Sequence, residues 1–414
     1  MNQKISIMKQ AYLSNRFVSV YSRLEAVKNL TRYLNDNWDK LEEINEREVE
    51  ALQDKYIPYD SIDKMSFARR DIDALIEDLE AYSTSNINGD IEENTDNIRM
   101  SGRMYTKIDF EPLGLVAVVA DNDPLTLFRA IVMVNFSGNG QIIYYSKYMR
   151  KTMEFLLDAF NKAYNNKYDF PMFMATHLES DLSKILSSSE FDLVFPIGTK
   201  AFTDNCCNKA RSPKIQPNNG PTHMYIGEFA NEAKAVDLCF DARMADFKSG
   251  TSVSTILYHK NSEDTAIEVM KKFVHIRMPM YGCQHTHDEY NMPLASEEDF
   301  YVQYCEPCVN FKRVESVDEA VAHINEHGGR CVECIISESD EEKMVFHRGV
   351  QAACVVSNMS TSAVNGYIVK GSCDAGFASS GLHFNGPITV NDFQKPRYYI
   401  AGSNQRFRGK RIRR

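Results

Sequence analysis

Short apolar runs alternate with segments of helical periodicity through the middle of the chain, and that alternation limits the fold more than any other feature. Leu113–Val119 and Gln141–Tyr145 are apolar runs, Met149–Tyr164 carries a helical pattern, and FDLVFP from Phe191 is again strand-like. STILYHK at Ser254–Lys260 reads as a further strand. Strands separated by helices form βαβ units, because parallel neighbours need a crossover that returns along the sheet. The chain is therefore read as α/β, with open twisted, mostly parallel sheets. Its 414 residues suffice for two or three domains, each with its own core.

Helical signals also lie outside this centre. Ser22 followed by Glu25 has the form of a capping box, and Leu24, Val27, Leu30, Leu34, Trp38 and Leu41 repeat at helical spacing. The pattern predicts one long amphipathic helix. A second is predicted from about Ser66 to Tyr82, and the polar stretch Ser83–Asn97 reads as a loop. Ser316 and Glu319 form another capping box, and the helix they open stops at Gly328-Gly329. No internal repeat or low-complexity segment is visible.

No apolar stretch approaches the roughly 18 residues of a membrane helix. The start, MNQKISIMKQAYLSNRF, lacks an apolar core followed by a cleavage site. A cytoplasmic protein with no membrane association is expected, its ten cysteines mostly free thiols. The net charge of −10 argues against a general nucleic-acid binder. The tail QRFRGKRIRR is a local exception, with six basic residues among its last nine: Arg406, Arg408, Lys410, Arg411, Arg413 and Arg414. The simpler reading is a solvated terminus. The sharper one is an electrostatic contact with an acidic partner or RNA, though Phe407 alone offers little for base stacking.

Several segments, in order and at matching spacing, resemble the gamma-glutamyl phosphate reductases, a branch of the aldehyde dehydrogenase superfamily. EPLGLVAVVADNDP from Glu111 is similar to the strand and turn with which that family enters its nucleotide-binding domain. FDLVFPIGTKAF from Phe191 resembles the strand and glycine turn that lie against the cofactor, and SVDEAVAHINEHGG from Ser316 resembles a helix of the catalytic domain. LHFNGP, Leu382–Pro387, is close to the family's Leu-His-Ala-Arg-Gly-Pro. The resemblance implies an aldehyde dehydrogenase-like fold. A cofactor-binding domain would span 1–230 with arm strands near 103–111, and a catalytic domain 231–375. Residues 376–414 would return to the cofactor domain and supply an oligomerisation arm and the basic tail. It also implies NADPH-dependent reduction of L-glutamyl 5-phosphate to the semialdehyde, in proline biosynthesis. In that chemistry a cysteine thiolate displaces phosphate, and hydride then reduces the thioester.

The reactive centre departs from this pattern. The family's motif Asn-Ala-Lys-Thr-Gln-Arg-Pro-Ser-Val-Cys-Asn matches DARMADFKSGT, Asp241–Thr251. Asp241 stands at the asparagine, Arg243 keeps a cation, Asp246 replaces the arginine, Lys248 falls at the serine and Gly250 at the cysteine. A glycine cannot form the thioester. Ser249, Thr251 and Ser252 are adjacent, but a hydroxyl needs a positioned base, and the nearest histidine in sequence is His259, at the far end of a predicted strand. Cys239 is placed on the preceding helix. An acyl phosphate calls for cations, yet Asp123 and Ser362 also stand at family arginines. Each sign reversal in a partly shielded pocket costs on the order of a few kcal/mol. The simpler reading is that those arginines only pair with protein groups.

The other site residues are ambiguous. Asn122, before Asp123-Pro124, resembles the oxyanion-donating asparagine of aldehyde dehydrogenases, or is an ordinary turn asparagine. Lys147 matches a lysine that contacts the adenosine of the cofactor and Gly198 matches the glycine turn, so the resemblance implies NADP. Tyr145 and Ser146 replace two family glycines and oppose close approach of a nucleotide, leaving a collapsed pocket as the alternative. Independently of the family, Cys305-x-x-Cys308 and Cys331-x-x-Cys334 are separated by 22 residues, with Cys283, His285 and His287 upstream. Paired CxxC motifs are a zinc signal, although placement on strands favours thiols that merely fill space.

Three functions remain at this level. The first is a catalytically inactive relative with a regulatory or scaffolding role. It would pair with an active paralogue, with glutamate 5-kinase, or with another copy through arm segments near Arg103–Glu111 and Tyr398–Ile412. The second is an active NADP-dependent reductase with a changed nucleophile. The third is an interaction protein working through zinc or the tail.

Overall fold

A computed structural model describes residues 1–15, 17–53, 62, 64–84, 99–101, 104–164, 170–216, 220–247, 249–304, 306–364, 368 and 386–402. Two compact units divide the chain: Met1–Lys214 with Thr389–Arg414, and Ile215–Ile388.

The first unit begins with helices α1 (Asn2–Asn15), α2 (Val20–Asp36), α3 (Trp38–Gln53) and α4 (Arg69–Thr84). The single long helix expected from periodicity is two helices, broken at Asn37. There the backbone leaves the helix (φ −121°, ψ 21°) and both the amide and the side-chain nitrogen of Asn37 donate to the Tyr33 carbonyl. The apolar rhythm survives the break because Leu34, Trp38 and Leu41 all stay buried. The cap also lies one turn earlier than predicted. Ser19, not Ser22, accepts the first amide, from Ser22. Helix α4 starts after Ala68, whose amide donates to the Asp71 carboxylate at 2.7 Å. Residues 85–97 of the expected polar loop lie outside the described residues.

After these helices come β1 (Arg99–Ser101), β2 (Met104–Pro112), β3 (Leu115–Ala120), α5 (Pro124–Phe136), β4 (Gly140–Tyr145) and α6 (Arg150–Ala163). The unit continues through β5 (Met174–Thr176), α7 (Glu179–Ser187), β6 (Leu193–Ile197) and α8 (Lys200–Lys209). Four strands form a parallel sheet in the order β5-β4-β3-β6. Every residue of β3 is buried, which is why it reads as a continuous apolar run. Its alternate residues Leu115, Ala117 and Val119 pack with Ile5, Met8 and Ala11 of α1 and Ile185 and Leu186 of α7.

The second unit contains β7 (Thr222–Ile226), α9 (Glu232–Met244), β8 (Val253–His259), α10 (Glu263–His275), β9 (Met280–Gly282) and α11 (Gln284–Tyr290). It then adds β10 (Val309–Val314), α12 (Val317–His327), β11 (Val332–Ile336), α13 (Asp340–Gly349) and β12 (Cys354–Ser357). Its six-stranded sheet has the order β12-β11-β7-β8-β10-β9, with all pairs parallel. Strand alternation divides the core in two. Met224, Ile226, Ile256, Tyr258, Cys334 and Ile336 face α9 and α10, whereas Tyr225, Leu257 and Ile335 pack with Ala320, Ile324 and Phe346 of α12 and α13. Since β7 is an inner strand of this sheet, the chain crosses between units at 214/215, ahead of the expected 230/231. It returns at 388/389, after the expected 375/376.

The return strand β13 (Gln394–Ala401) pairs antiparallel with β2, giving a three-stranded sheet of order β1-β2-β13. Ser316 caps α12 by accepting from the Glu319 amide, and the helix ends before Gly328 as predicted. Among the described residues no helix is long and apolar enough to cross a membrane.

A histidine cluster lies inside the second unit. His223 and Glu333 are fully buried, with His223 Nδ1 3.2 Å from Glu333 Oε2. The His323 ring meets His223 edge-on at 5.5 Å and stacks on His327 at 4.0 Å, and Phe300 packs edge-on against it. Burial, followed by electrostatic coupling to His223, Lys312 and His327, pushes His323 down to about 2. His323 thus stays neutral in the fold while the unfolded chain titrates near 6.5. Its contribution is complete above that pH and is lost below it, by about 1.4 kcal/mol per pH unit. Glu333, pushed up by burial, acts in the opposite sense and is common to any His323 variant. Urea denaturation should give a slope against pH about one proton shallower for His323→Phe than for wild type between about pH 5 and 6, the two slopes converging above about pH 7. Equal slopes in the lower range would mean that His323 takes up a proton inside the fold.

Candidate active site

In the first unit the candidate residues gather at the carboxyl ends of β3, β4 and β6, where strand order diverges on either side of β3. Asp121 follows β3. Its carboxylate accepts from the Thr199 amide at 3.1 Å and the Thr199 hydroxyl at 2.7 Å. Burial pushes this carboxyl up, and the two Thr199 bonds pull it back. Gly198 has φ +134°, and a Cβ there would lie 1.6 Å from Asp121 Oδ1. Glycine is required at 198 by both the backbone and the carboxylate beside it.

Asn122 is buried. Asp123 caps α5, accepting from the Thr126 amide at 2.9 Å. The carboxylate that stands where the resemblance has an arginine thus lies at the amino end of a helix, whose partial positive charge it complements. Lys147, in a short 3₁₀ turn Lys147–Met149, is exposed, with Nζ 5.2 Å from the Tyr148 ring centroid. Tyr145 and Ser146 are buried. Ser146 donates to the Asp121 carbonyl, and the Tyr145 ring lies 6.1 Å from His177. The bulk that replaces two glycines is thus directed into the unit.

In the second unit Gly250 lies on an exposed turn between α9 and β8, and a Cβ at this position would meet nothing within 4 Å. Thr222 donates to the Gly250 carbonyl at 3.0 Å. Gln303 clasps the turn, donating to the Ser249 and Ser252 carbonyls at 3.2 and 2.9 Å and accepting from the Ser254 hydroxyl and the Thr222 amide. Sequence reasoning missed both residues, which carry no motif and sit far from the turn along the chain.

The adjacent hydroxyls of Ser249 and Thr251 are 2.9 Å apart. Neither has a histidine or carboxylate as hydrogen-bond partner among the described residues, and Lys248 lies outside them. Ser252 is buried and bonds to Arg243. His259 closes the opposite end of β8, roughly 20 Å along the strand, where it accepts from the Asn261 amide. Cys239 is fully buried on α9, and burial pushes its thiol up, so it has neither access nor thiolate character.

The retained cation, Arg243, is structural. It is fully buried and donates to Ser252 Oγ and to the carbonyls of Val253, Tyr304 and Glu306. Ser362 donates to the Ala242 carbonyl at 3.1 Å. Asp246 is exposed.

The described residues of the paired CxxC motifs form no metal-holding group. Cys305 lies outside the described residues. Cys308, just before β10, is pushed by burial up to about 11. Cys331 and Cys334 belong to different apolar clusters and donate to the Gly329 and Met359 carbonyls. His285 pairs with Glu263, and His287 bonds to the Met292 carbonyl. Among the described residues no group of three or more His, Cys, Asp or Glu side chains is placed to hold a metal ion. The basic tail beyond 402 and Leu382–Asn385 of LHFNGP also lie outside the described residues.

Gamma-glutamyl phosphate reductase from Dictyoglomus thermophilum is 23% identical over 412 residues, covering 97% of this chain and 98% of its own length. Its counterpart from Thermodesulfovibrio yellowstonii is 24% identical over 408 residues, covering 96% and 97%. Gamma-glutamyl phosphate reductases are homologues of this chain. No protein-family profile matches it. The crystal structure of the Thermotoga maritima gamma-glutamyl phosphate reductase superposes with a TM-score of 0.86 at 18% identity, covering 98% of this chain and 99% of that one. An engineered glycolyl-CoA reductase with bound NADP+ matches at TM-score 0.69 and 14% identity, with 97% of each chain covered. These structures show the aldehyde dehydrogenase-like α/β fold expected from sequence.

Removing the Arg243 fork should break the support of the Gly250 turn. Arg243→Met leaves the Val253, Tyr304 and Glu306 carbonyls without this donor and should destabilise the protein by about 3 kcal/mol in urea denaturation. A loss below about 1 kcal/mol would mean that these carbonyls find water instead.

Proposed function

We propose that this gamma-glutamyl phosphate reductase homologue does not reduce acyl phosphates and serves as a binding or regulatory partner, with proline biosynthesis as its setting. The observation that carries the reading is the turn at Gly250. It has open space for a side chain, bears none, and has no activated nucleophile beside it among the described residues. The positions that match family cations support it, since Asp123 caps a helix, Ser362 bonds to a backbone carbonyl and Arg243 is buried.

NADP reduction with glutamate semialdehyde, and NADPH oxidation with the acyl phosphate, should stay at the buffer rate. Turnover in either direction would overturn the proposal and put the chemistry on another group. Gly250→Cys tests the charge argument separately. The new side chain points into open space, so stability should stay within about 0.5 kcal/mol of wild type. An aromatic disulfide reagent should titrate the added thiol quickly, while Cys239 and Cys334 remain shielded. Reductase activity should nonetheless stay absent, and rescue by this single change would mean that the missing thiol was the sole defect.

The partner is proposed to be a second copy of the chain, an active paralogue or glutamate 5-kinase. Self-pairing draws support from the β2–β13 sheet. On one face Ile108, Phe110, Tyr398 and Ile400 fall together by register, with Phe110, Tyr398 and Ile400 exposed. On the other Lys107, Asp109, Glu111 and Arg397 form ion pairs. An apolar strand face of this kind suits burial against a like face. Tyr398→Lys with Ile400→Lys should convert an oligomer to monomer in light scattering, and a monomeric wild type would exclude self-pairing.

A further inference from the structure

We infer that the phosphate seat of the first unit is filled by the chain's own Asp121 carboxylate, so that a dinucleotide-binding fold is kept without room for the dinucleotide. This rests on the non-catalytic reading above and extends it to the cofactor.

In an open parallel sheet a nucleotide lies beyond the carboxyl ends of the strands, where neighbouring connections diverge. Its phosphates take the first free amides of the helix that follows. Here that place lies between β3 and β6, and α8 supplies the helix. Two donors at its entrance are already taken, because the Thr199 amide and hydroxyl both go to Asp121, at 3.1 and 2.7 Å. The gap that a glycine turn offers to a pyrophosphate is taken too. The space above the Gly198 Cα holds Asp121 Oδ1, which a Cβ at 198 would approach to 1.6 Å. A phosphate brought to the Thr199 amide would therefore meet a carboxylate of its own sign at hydrogen-bond range.

Asp121 cannot easily swing away. Its amide donates to the Ile197 carbonyl at the end of β6. Its carbonyl accepts from Ser146 at the end of β4. The carboxylate therefore projects from a turn fixed to both neighbouring strands. The residues present do not fit NADP at this turn, although exposed Lys147 remains at the end of β4.

The test uses the full-length protein, with NADPH and inorganic pyrophosphate as probes. Nucleotide fluorescence and thermal shift should show no saturable binding of either to wild type through the millimolar range. Asp121→Ala should gain saturable NADPH binding, tighter than wild type by at least about tenfold. Hydrogen exchange of the amides from Gly198 to Phe202 in wild type should be unchanged by NADPH, a readout that stands even if the variant fails to fold. Saturable NADPH binding by wild type with protection of those amides would overturn the inference. So would a folded Asp121→Ala that ignores both probes. NADPH binding without turnover sinks this inference alone, whereas turnover sinks the non-catalytic reading.

Discussion

Each parallel sheet of this protein is closed, at the point where its strand order diverges, by a carboxylate lying over a glycine. In the first unit Asp121 covers Gly198 and binds Thr199. In the second, Glu342 of α13 fills the gap at Gly227, where a Cβ would come within 2.4 Å of Oε2. Glu342 accepts from the Tyr225 and Ser337 hydroxyls and the Glu228 amide. Amides that open a helix or follow a strand have no partner within their own element. An internal carboxylate satisfies several at once while complementing the helix dipole. The same closure occupies the place where an open α/β sheet ordinarily receives a ligand, so the interaction that finishes each sheet also shapes what the sheet can bind.

The support of the Gly250 turn is likewise independent of any side chain at 250. Gln303 and Thr222 hold the Ser249, Gly250 and Ser252 carbonyls, and Arg243 holds the Ser252 hydroxyl. None of these bonds involves a side chain at 250. A glycine can therefore stand there with no repacking, and the loop keeps a defined shape without a thiol. The residues that match cations of the resembled family are held in the same way: Asp123 in a helix cap, Arg243 in a carbonyl cage, Ser362 on the Ala242 carbonyl. Each answers a need of the fold.

Fold class was legible in the sequence because fully buried parallel strands leave continuous apolar runs, as in β3, and a crossover helix leaves its own period. The break between α2 and α3 was not, since apolar spacing passes unchanged through Asn37 and only the Asn37–Tyr33 bonds mark it. At the candidate site, Gly250, Gly198 and Lys147 were singled out by their place in a motif, which gives a position and not what the residue binds. What Asp123 does could not be read there, because alignment gives a place in the chain and not the direction of a carboxylate. Gln303 and Glu342 were invisible for a related reason. Their partners are mostly backbone atoms and hydroxyls from distant segments, and such contacts impose no local pattern on the residues beside them.

A fold of this kind can lose its reaction without losing its shape because the two depend on different atoms. The sheets are specified by alternating burial on two faces, and the turns by internal acceptors. The chemistry would rest on one sulfur and a few cations that hold nothing together. Replacing those groups leaves untouched the apolar burial that drives folding, and each freed position becomes available to a cap or a carbonyl. The route back is not symmetrical. A thiol can be restored at Gly250 into open space, but a cation at position 123 would remove the cap of α5, and a phosphate at Thr199 would have to displace a carboxylate held by two strand ends.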